Sequence, residues 1–592
     1  STFVNFSVNE EVQVATAGQT VFTLANTYTP GTNSLTVYVD GVNQYDGAQY
    51  SFVETSGDTV TFTSGLHVGA LVKFSTAIQL SGGVADSSQI TYVPAGTGAV
   101  TTNVQAKLRE TVSVKDFGAV GDGVTDDTVS IQAAIDGAQG QLLTAHQGQY
   151  LITSTLNLQS NSDYDFRGAT FIPGGTLNIN FSGIGLENVN IFGGSFVGTP
   201  GVSPVINTHP TGTYYSGAPF YFQDCSQIHL KYTRTYRYFV VMDFYNCSDC
   251  SAIENFASDC AGGIQAIAAS NISANYIMRG LDFSHNILLH SGDDALSFLI
   301  SDAFDGQILA SKIVGNYVSK NPGVNATVGE ASGIHVLGND TTTSNVVSGV
   351  VIANNTGYYM GEAFIRVTGI VDSVISNNVV DGYAQIGSNA AYWLGDTSTG
   401  NFGAIDTIVT GNVAINPLSA TKSIVSDGAV RCKFANNYAS TAISGQGTFF
   451  AENSTDCLLQ GNTFENTSAF AIALAATTSG FQVLNNDISV FVATPISDSG
   501  TNNIKQLNIG YPTFDSGTAS IADGATATLV SHSLQYSDAA NLIVTVTPTS
   551  SFNDSTNVWV ATVTASSFFI VVDIAPGAGN TNTYSWTIQE KV

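Results

Sequence analysis

From about residue 150 to 505 the chain repeats one short unit: an alternating apolar strand, an Asn, then another apolar residue. It reads LDFSHNILL, SKIVGNYVS, GVVIANNTG, DSVISNNVV, DTIVTGNVAI, VRCKFANNYA, DCLLQGNTF and FQVLNNDIS. The Asn positions are 286, 316, 355, 378, 412, 437, 462 and 486; their spacings of 30, 39, 23, 34, 25, 25 and 24 residues describe a coil of about 24 with insertions in some turns. A period in this range, built from short strands around one fixed bend, predicts a β-solenoid in which each coil contacts only its neighbours. Stacked Asn side chains can bond to one another up the ladder. The longer coils predict loops on one side, where a binding surface is expected.

Composition agrees. At 592 residues the chain is too long for one compact core. Charged residues are 10%, too few for the wet faces of long amphipathic helices, while aromatics reach 10% and Gly numbers 59. The expectation is all-β. The formal charge, 17 − 45 = −28, repels phosphates and anionic membrane surfaces, so nucleic acid is excluded as a partner. No apolar run approaches the ~20 residues that span a bilayer, and STFVNFSVNE is not a signal peptide; membrane insertion is not expected. A leading Ser without Met predicts a trimmed start. Cys225, Cys247, Cys250, Cys260, Cys432 and Cys457 include one C-x-x-C, but nothing completes a zinc site, and they read as small core residues.

Residues 1–85 alternate apolar and polar positions between turn signals (NSLTVYVDGVNQY, YSFVETSGDTVTFTSG, ALVKFSTAIQ), predicting a small β domain. Residues 86–111 read as a linker with a short helix near 102–110. Residues 112–149 follow as strand, turn and helix: Val129, Ile131, Ala134 and Ile135 fall at near-helical spacing behind Asp126, Asp127 and Thr128, which can cap a helix. Asp122, Asp126 and Asp127 lack the spacing of a calcium loop, so no metal is expected. The solenoid occupies 150–505. Residues 506–592 carry four longer strands, as in a β-sandwich that would cap the solenoid.

YVPAGTGAV, LRETVSVKDFGAVGDGVTDDTVSIQAAID and the solenoid after them resemble bacteriophage tailspike proteins with a pectate-lyase-like right-handed parallel β-helix. YTPGTNSLTVYVDGVNQY is similar to the virion-side domain of phage tail fibres and tailspikes. The resemblance implies a homotrimer, attached to the phage tail or baseplate through its N-terminal region, that binds and depolymerises a bacterial surface polysaccharide, without a cofactor. The start motif marks where such a helix begins and is not taken as catalytic.

The candidate site lies at HSGDDALSF. Strands of neighbouring coils stack in register, so aligning Ile264, Leu296, Ile334 and Ile365 brings AGGIQ, DDALS, ASGIH and EAFIR together. Asp293 and Glu362 then fall three residues before the reference, Asp294 two before, and Glu330 four before. Gln265, Ser297, His335 and Arg366 fall one after. These four acids are the catalytic candidates. Coils stack at roughly 4.8 Å, so acids in adjacent coils suit a retaining glycosidase (~5–5.5 Å) and acids two coils apart approach the inverting range (~6.5–9.5 Å). GDDALS, SGIHV and FIRV also resemble, in part, polygalacturonase-type β-helix hydrolases; Asp293, Asp294 and Arg366 carry over, but Ser332, Thr368 and Gly262 stand where that family has His, Lys and a further Asp. The missing Lys departs from galacturonate recognition. Sugar rings stack on aromatics, which nominates Tyr358, Tyr359 and Trp393, while Arg234, Tyr236 and Arg237 in KYTRTYRYF form a basic, aromatic patch suited to an acidic sugar, the alternative being a solvated ladder strand. His335 and Arg366 complete the substrate-binding candidates.

Three readings follow: endo-glycosidic hydrolysis by paired carboxylates, preferred here; β-elimination on a uronate with His335 or Tyr359 as base and Arg366 on the carboxylate; and adhesion without cleavage.

Overall fold

The computed structural model describes residues 6–79, 86–174, 177–198, 217–268, 276–300, 306–320, 332–338, 346–384, 390–395, 403–418, 422–441, 447–466, 470–490, 495–511, 514–534, 539–550 and 555–590. The chain divides into two units, Ser1–Glu110 and Thr111–Val592.

In the first unit, strands Phe6–Val14, Leu71–Gln79, Leu35–Val39 and Val42–Gln44 form one antiparallel sheet, in that order. Strands Val21–Thr23, Thr59–Phe62 and Phe52–Ser56 form another. The DG of VYVDGVNQ makes the first hairpin: Asp40 and Gly41 have φ of 47° and 83°, the left-handed pair a type I′ turn needs. Phe22, Phe52, Phe62, Phe74, Val37, Val60 and Val72 form its core. Helix α1, Val104–Leu108, starts where Asn103 Oδ1 accepts the Ala106 N–H at 2.7 Å.

The second unit opens with strand Thr111–Ser113, a 3₁₀ turn Val114–Phe117, strand Asp122–Asp126 and helix α2, Thr128–Ala138. Ile131, Ala134, Ile135 and Ala138 of α2 join the apolar column of the solenoid. Val129, expected with them, is 80% exposed because it falls on the opposite side of the helix. Asp127 does not cap α2 through its side chain. Its carboxylate instead accepts the Val120 and Gly121 N–H groups at 2.5 and 2.9 Å, while Asp126 takes the Thr128 N–H at 3.0 Å. Asp122 accepts Val124 and Thr125 N–H at 2.9 and 2.7 Å. The three acids therefore fasten the first turn to itself.

Three long parallel sheets follow, of 15, 13 and 13 strands among the described residues. Sheet 1 runs from Thr111–Ser113 to Ile504–Gln506, sheet 2 from Asp122–Asp126 to Thr463–Asn466, and sheet 3 from Leu156–Asn157 to Ile496–Asp498. Each coil visits them in that order. The repeated Asn explains the corner between sheets 1 and 2. The residue before it is left-handed (His285, Asn354, Asn377, Asn436, Asn485, or Gly315, Gly411, Gly461), a conformation that Gly and Asn adopt at least cost. The turn buries the next Asn, whose Nδ2 donates to the Oδ1 of the Asn one coil on. Bonds of 2.8–3.1 Å link Asn255, Asn286, Asn316, Asn355, Asn378, Asn412, Asn437, Asn462, Asn486 and Asn508. Inside, Phe171, Phe181, Phe196, Phe220, Phe222 and Phe244 stack along the axis. The six Cys are buried and unbridged.

The all-β, parallel β-helical expectation is thus borne out. The repeat did not reveal a fourth sheet of five short strands, Tyr276–Arg279, Gly306–Leu309, Val347–Ser348, Ile370–Val371 and Ala404–Ile405, built between sheets 3 and 1 of the longer coils. After the last coil, two three-stranded antiparallel sheets bury Ile521, Phe568, Ile570, Trp586 and Ile588.

Candidate active site

The observed register of sheet 3 pairs Ile264, Leu296, Ile334, Ile365 and Tyr392 in succession. These residues are buried in the core, so the next position in each strand faces away from it. That outward row runs Tyr221, Asp243, Gln265, Ser297, His335, Arg366, Trp393, Val425 and Phe450. Long connections bring the chain into sheet 3 between Ser319 and Ile334 and out of it between Leu337 and Val347. The outward row therefore forms a floor on the outer side of sheet 3.

Asp293 and Asp294 stand at the edge of this floor, in the turn leading to Leu296. Both Asp294 oxygens are engaged. Oδ1 accepts the Ser332 N–H at 2.9 Å, and Oδ2 lies 2.7 Å from His335 Nδ1 one coil on. His335 is almost wholly covered, its side chain 6% exposed. The carboxylate thus fixes the imidazole and directs its chemistry to Nε2. Asp293 is exposed as a residue, yet its carboxyl is crowded; desolvation first, and the Asp294 charge second, raise its pKa, against the pull of Lys320 and His335.

Lys320, which sequence reasoning missed, lies under this turn. It is buried, and its Nζ donates to the Asp293 carbonyl. Burial pushes the ammonium down to about 8, opposed by the charges of Asp294, Asp293 and Glu362. Those three acids and one buried cation therefore share a single electrostatic neighbourhood. The missed signal was modest: a Lys at the end of a strand, in a chain with 17 basic residues.

Arg366 follows His335 in the row, and its guanidinium sits over the Trp393 ring at 5.7 Å from the centroid. Tyr358 and Tyr359 lie at the end of a sheet 2 strand, edge to face at 4.6 Å, and the Tyr358 carbonyl accepts the Lys320 N–H at 3.1 Å. Arg234 and Tyr236 are on sheet 2; Tyr236 shares the Tyr358 row, four coils away. Arg237 forms an exposed left-handed corner, φ 60°. The basic patch thus stands two coils before Asp293, on sheet 2 and its corner. Glu330 lies outside the described residues.

Two further groups escaped the sequence reading. Asp243 is buried in the outward row, where desolvation raises it to about 6 and Gln265 Nε2 donates to it. Further along, Asp427 and Glu452 face each other in adjacent coils, and Lys422 Nζ sits 4.0 Å from the Phe450 ring centroid. Neither shows as a motif, because each group is made by residues of two different coils. Among the described residues, no group of three His, Cys, Asp or Glu is arranged to hold a metal ion.

Residues 111–362 match the family described as rhamnogalacturonase A/epimerase, pectate lyase-like. This segment, less than half of the chain, is similar to that family. A curated relative, the depolymerase 1, capsule K30/K69-specific, of Klebsiella phage K5-2, is 29% identical over 123 residues, 20% of this chain and 15% of its own length. A probable glucan endo-1,3-beta-glucosidase of Arthroderma benhamiae is 51% identical over 51 residues, 8% of this chain and 6% of its own length. The chain thus spans only a small part of the curated relatives it matches. Among solved structures, a tailspike protein variant of E. coli bacteriophage HK620, in complex with pentasaccharide, overlaps at a TM-score of 0.49 and 14% identity, covering 86% of this chain and 98% of that one. The tailspike resemblance read from the sequence stands beside the family match and the phage relative. The pectate-lyase-like β-helix carries the acid cluster on its third sheet, within the matched residues.

Proposed function

We propose that this chain is a phage tailspike depolymerase that binds a bacterial surface polysaccharide along the outward row of sheet 3 and cleaves it by hydrolysis. The observation that carries the reading is the meeting of Asp293, Asp294, Lys320 and His335 beside that row. Asp293, whose pKa is raised by desolvation and by the Asp294 charge, is in our reading the acid that protonates the departing glycosidic oxygen. Water forms the new bond to the anomeric carbon as the old C–O bond breaks, and a second carboxylate takes the water's proton. Glu362 is that base in our reading: two coils from Asp293, at ~4.8 Å per coil, leaves space for one water near the upper end of the inverting range. Asp294, with both oxygens occupied, is a positioning residue for His335. Arg366 and Trp393 offer a cation and an aromatic face to the next sugar.

The Asp294–His335 pair favours one further reading. A fixed imidazole beside Arg366 is also the arrangement that β-elimination of a uronate requires: Nε2 removes the C5 proton, Arg366 balances the carboxylate, and the C4–O bond breaks to leave an unsaturated sugar. The products decide between them. After digestion of a susceptible strain's polysaccharide in water enriched in heavy oxygen, mass spectrometry should find the label in the new reducing end. Unlabelled products ending in an unsaturated uronate would establish elimination, and intact polymer with retained binding would establish adhesion. The assembled form we infer is a homotrimer carried on the virion, its N-terminal unit towards the phage tail; a sedimentation mass of one chain would overturn that.

A further inference from the structure

Sheet 1 carries a cavity that has no part in the chemistry above. It has a volume of about 430 Å³ and is formed on the outward side of four successive coils. The size lies within the ~300–1,000 Å³ of small-ligand sites. Two rows line it: Asn190, His229, Ser251 and Asp282 in one, Phe192, Lys231 and Ile253 in the other, with Asp249 at the rim. Gly280 lets Asp249 stand there, since a Cβ at that position would overlap its Oδ1.

The polar groups are arranged without net preference for charge. Asp282 is taken by Lys312 at 3.0 Å. His229 Nδ1 is held by Ser251 Oγ at 2.8 Å, and burial, then Lys231, lower its pKa, against Asp249 and Asp282. One ammonium, Lys231, and one carboxylate, Asp249, remain without an ion pair among the described residues and offset each other. Asn190 Nδ2 donates to Asp163 at 2.8 Å; the Asn190 amide oxygen, the Lys231 ammonium and the Asp249 carboxylate are left to accept and donate, and Phe192 and Ile253 supply apolar surface. That combination matches a neutral hexopyranose, whose hydroxyls both donate and accept and whose C–H face is apolar.

We infer that this cavity is a second saccharide-binding site, specific for one or two neutral hexose units, on a face of the solenoid separate from the sheet 3 row. Its function is to hold polymer, not to cut it. The site does not depend on the hydrolytic reading, and it would stand if the sheet 3 site proved to be a lyase.

The test uses maltose, cellobiose and lactose as probes, with saturation-transfer NMR on the full chain. Trp393→Ala weakens binding at sheet 3 and serves as the background. In that background at least one disaccharide should receive saturation, and adding Lys231→Ala with Asp249→Asn should reduce the transfer at least fivefold at an unchanged melting temperature. Equal transfer in both proteins, or none with any of the three sugars, overturns the proposal. Should the triple variant fail to fold, crystals of the unaltered protein soaked with the same disaccharides decide: sugar against Phe192 and Lys231 supports the site, and an empty cavity refutes it.

Discussion

At the scale of single residues, two carboxylates lead to opposite experiments. Asp294 has both oxygens bonded and orients His335. Asp294→Asn preserves the shape but offers the imidazole an amide, so we expect kcat to fall by about 10²–10⁴-fold with KM little changed. A loss confined to KM would assign Asp294 to sugar binding. Asp243 is a matter of stability. Its ordinary pKa near 3.9 rises to about 6 in the folded chain, so between these values the native state holds the extra proton and stability falls as pH rises. Below about pH 4 both states are protonated and the penalty vanishes; above about 6 it is complete, on the order of 3 kcal/mol. Asp243→Asn keeps the Gln265 bond without the charge, so it should raise the apparent Tm at pH 7.5 and leave it unchanged at pH 4. An equal rise at both pH values would mean that the charge is not the cause.

At the scale of elements, the Asn ladder is the feature the sequence shows most openly, and it has a measurable consequence. Asn378 is completely buried; it donates to the Ile352 carbonyl and to Asn412 Oδ1, both at 2.9 Å, and accepts from Asn355. Asn378→Ala strands buried donors and acceptors in two coils, and should cost about 3 kcal/mol. Asn508→Ala, at the last rung, interrupts the ladder on one side only and should cost less. Chemical unfolding of both variants gives the comparison; equal losses would refute a ladder role. The same regularity made the register of Ile264, Leu296, Ile334 and Ile365 legible, because one apolar side chain per coil must reach the core. With it came the Asp294–His335 meeting. What was not legible had no periodic signal. The fourth sheet uses two- to four-residue strands inside insertions. Lys320 reaches the acids from the end of a sheet 2 strand, and Asp243 meets Gln265 across a coil boundary. Such neighbours are set by stacking, and single-chain spacing does not reveal them. Asp127 shows the converse: a sequence that fits a helix cap, diverted because two loop N–H groups lay within its reach.

At the scale of the whole molecule, the two units have separate cores. The apolar cluster around Phe22, Phe52 and Phe74 belongs to Ser1–Glu110, and the column from Val114 to Ile588 belongs to Thr111–Val592. A unit with its own core unfolds as its own cooperative step. Calorimetry of the full chain should therefore show two transitions, the smaller disappearing when residues 1–110 are removed. The remaining transition should keep its midpoint within about 1 °C, because a shift of that size already corresponds to about 1 kcal/mol in a unit this large. The depolymerase activity we propose should survive the truncation undiminished, since every residue assigned to the sheet 3 row lies in the second unit. Activity that vanished while the second transition persisted would mean that Ser1–Glu110 contributes to the site or to the assembly on which the site depends.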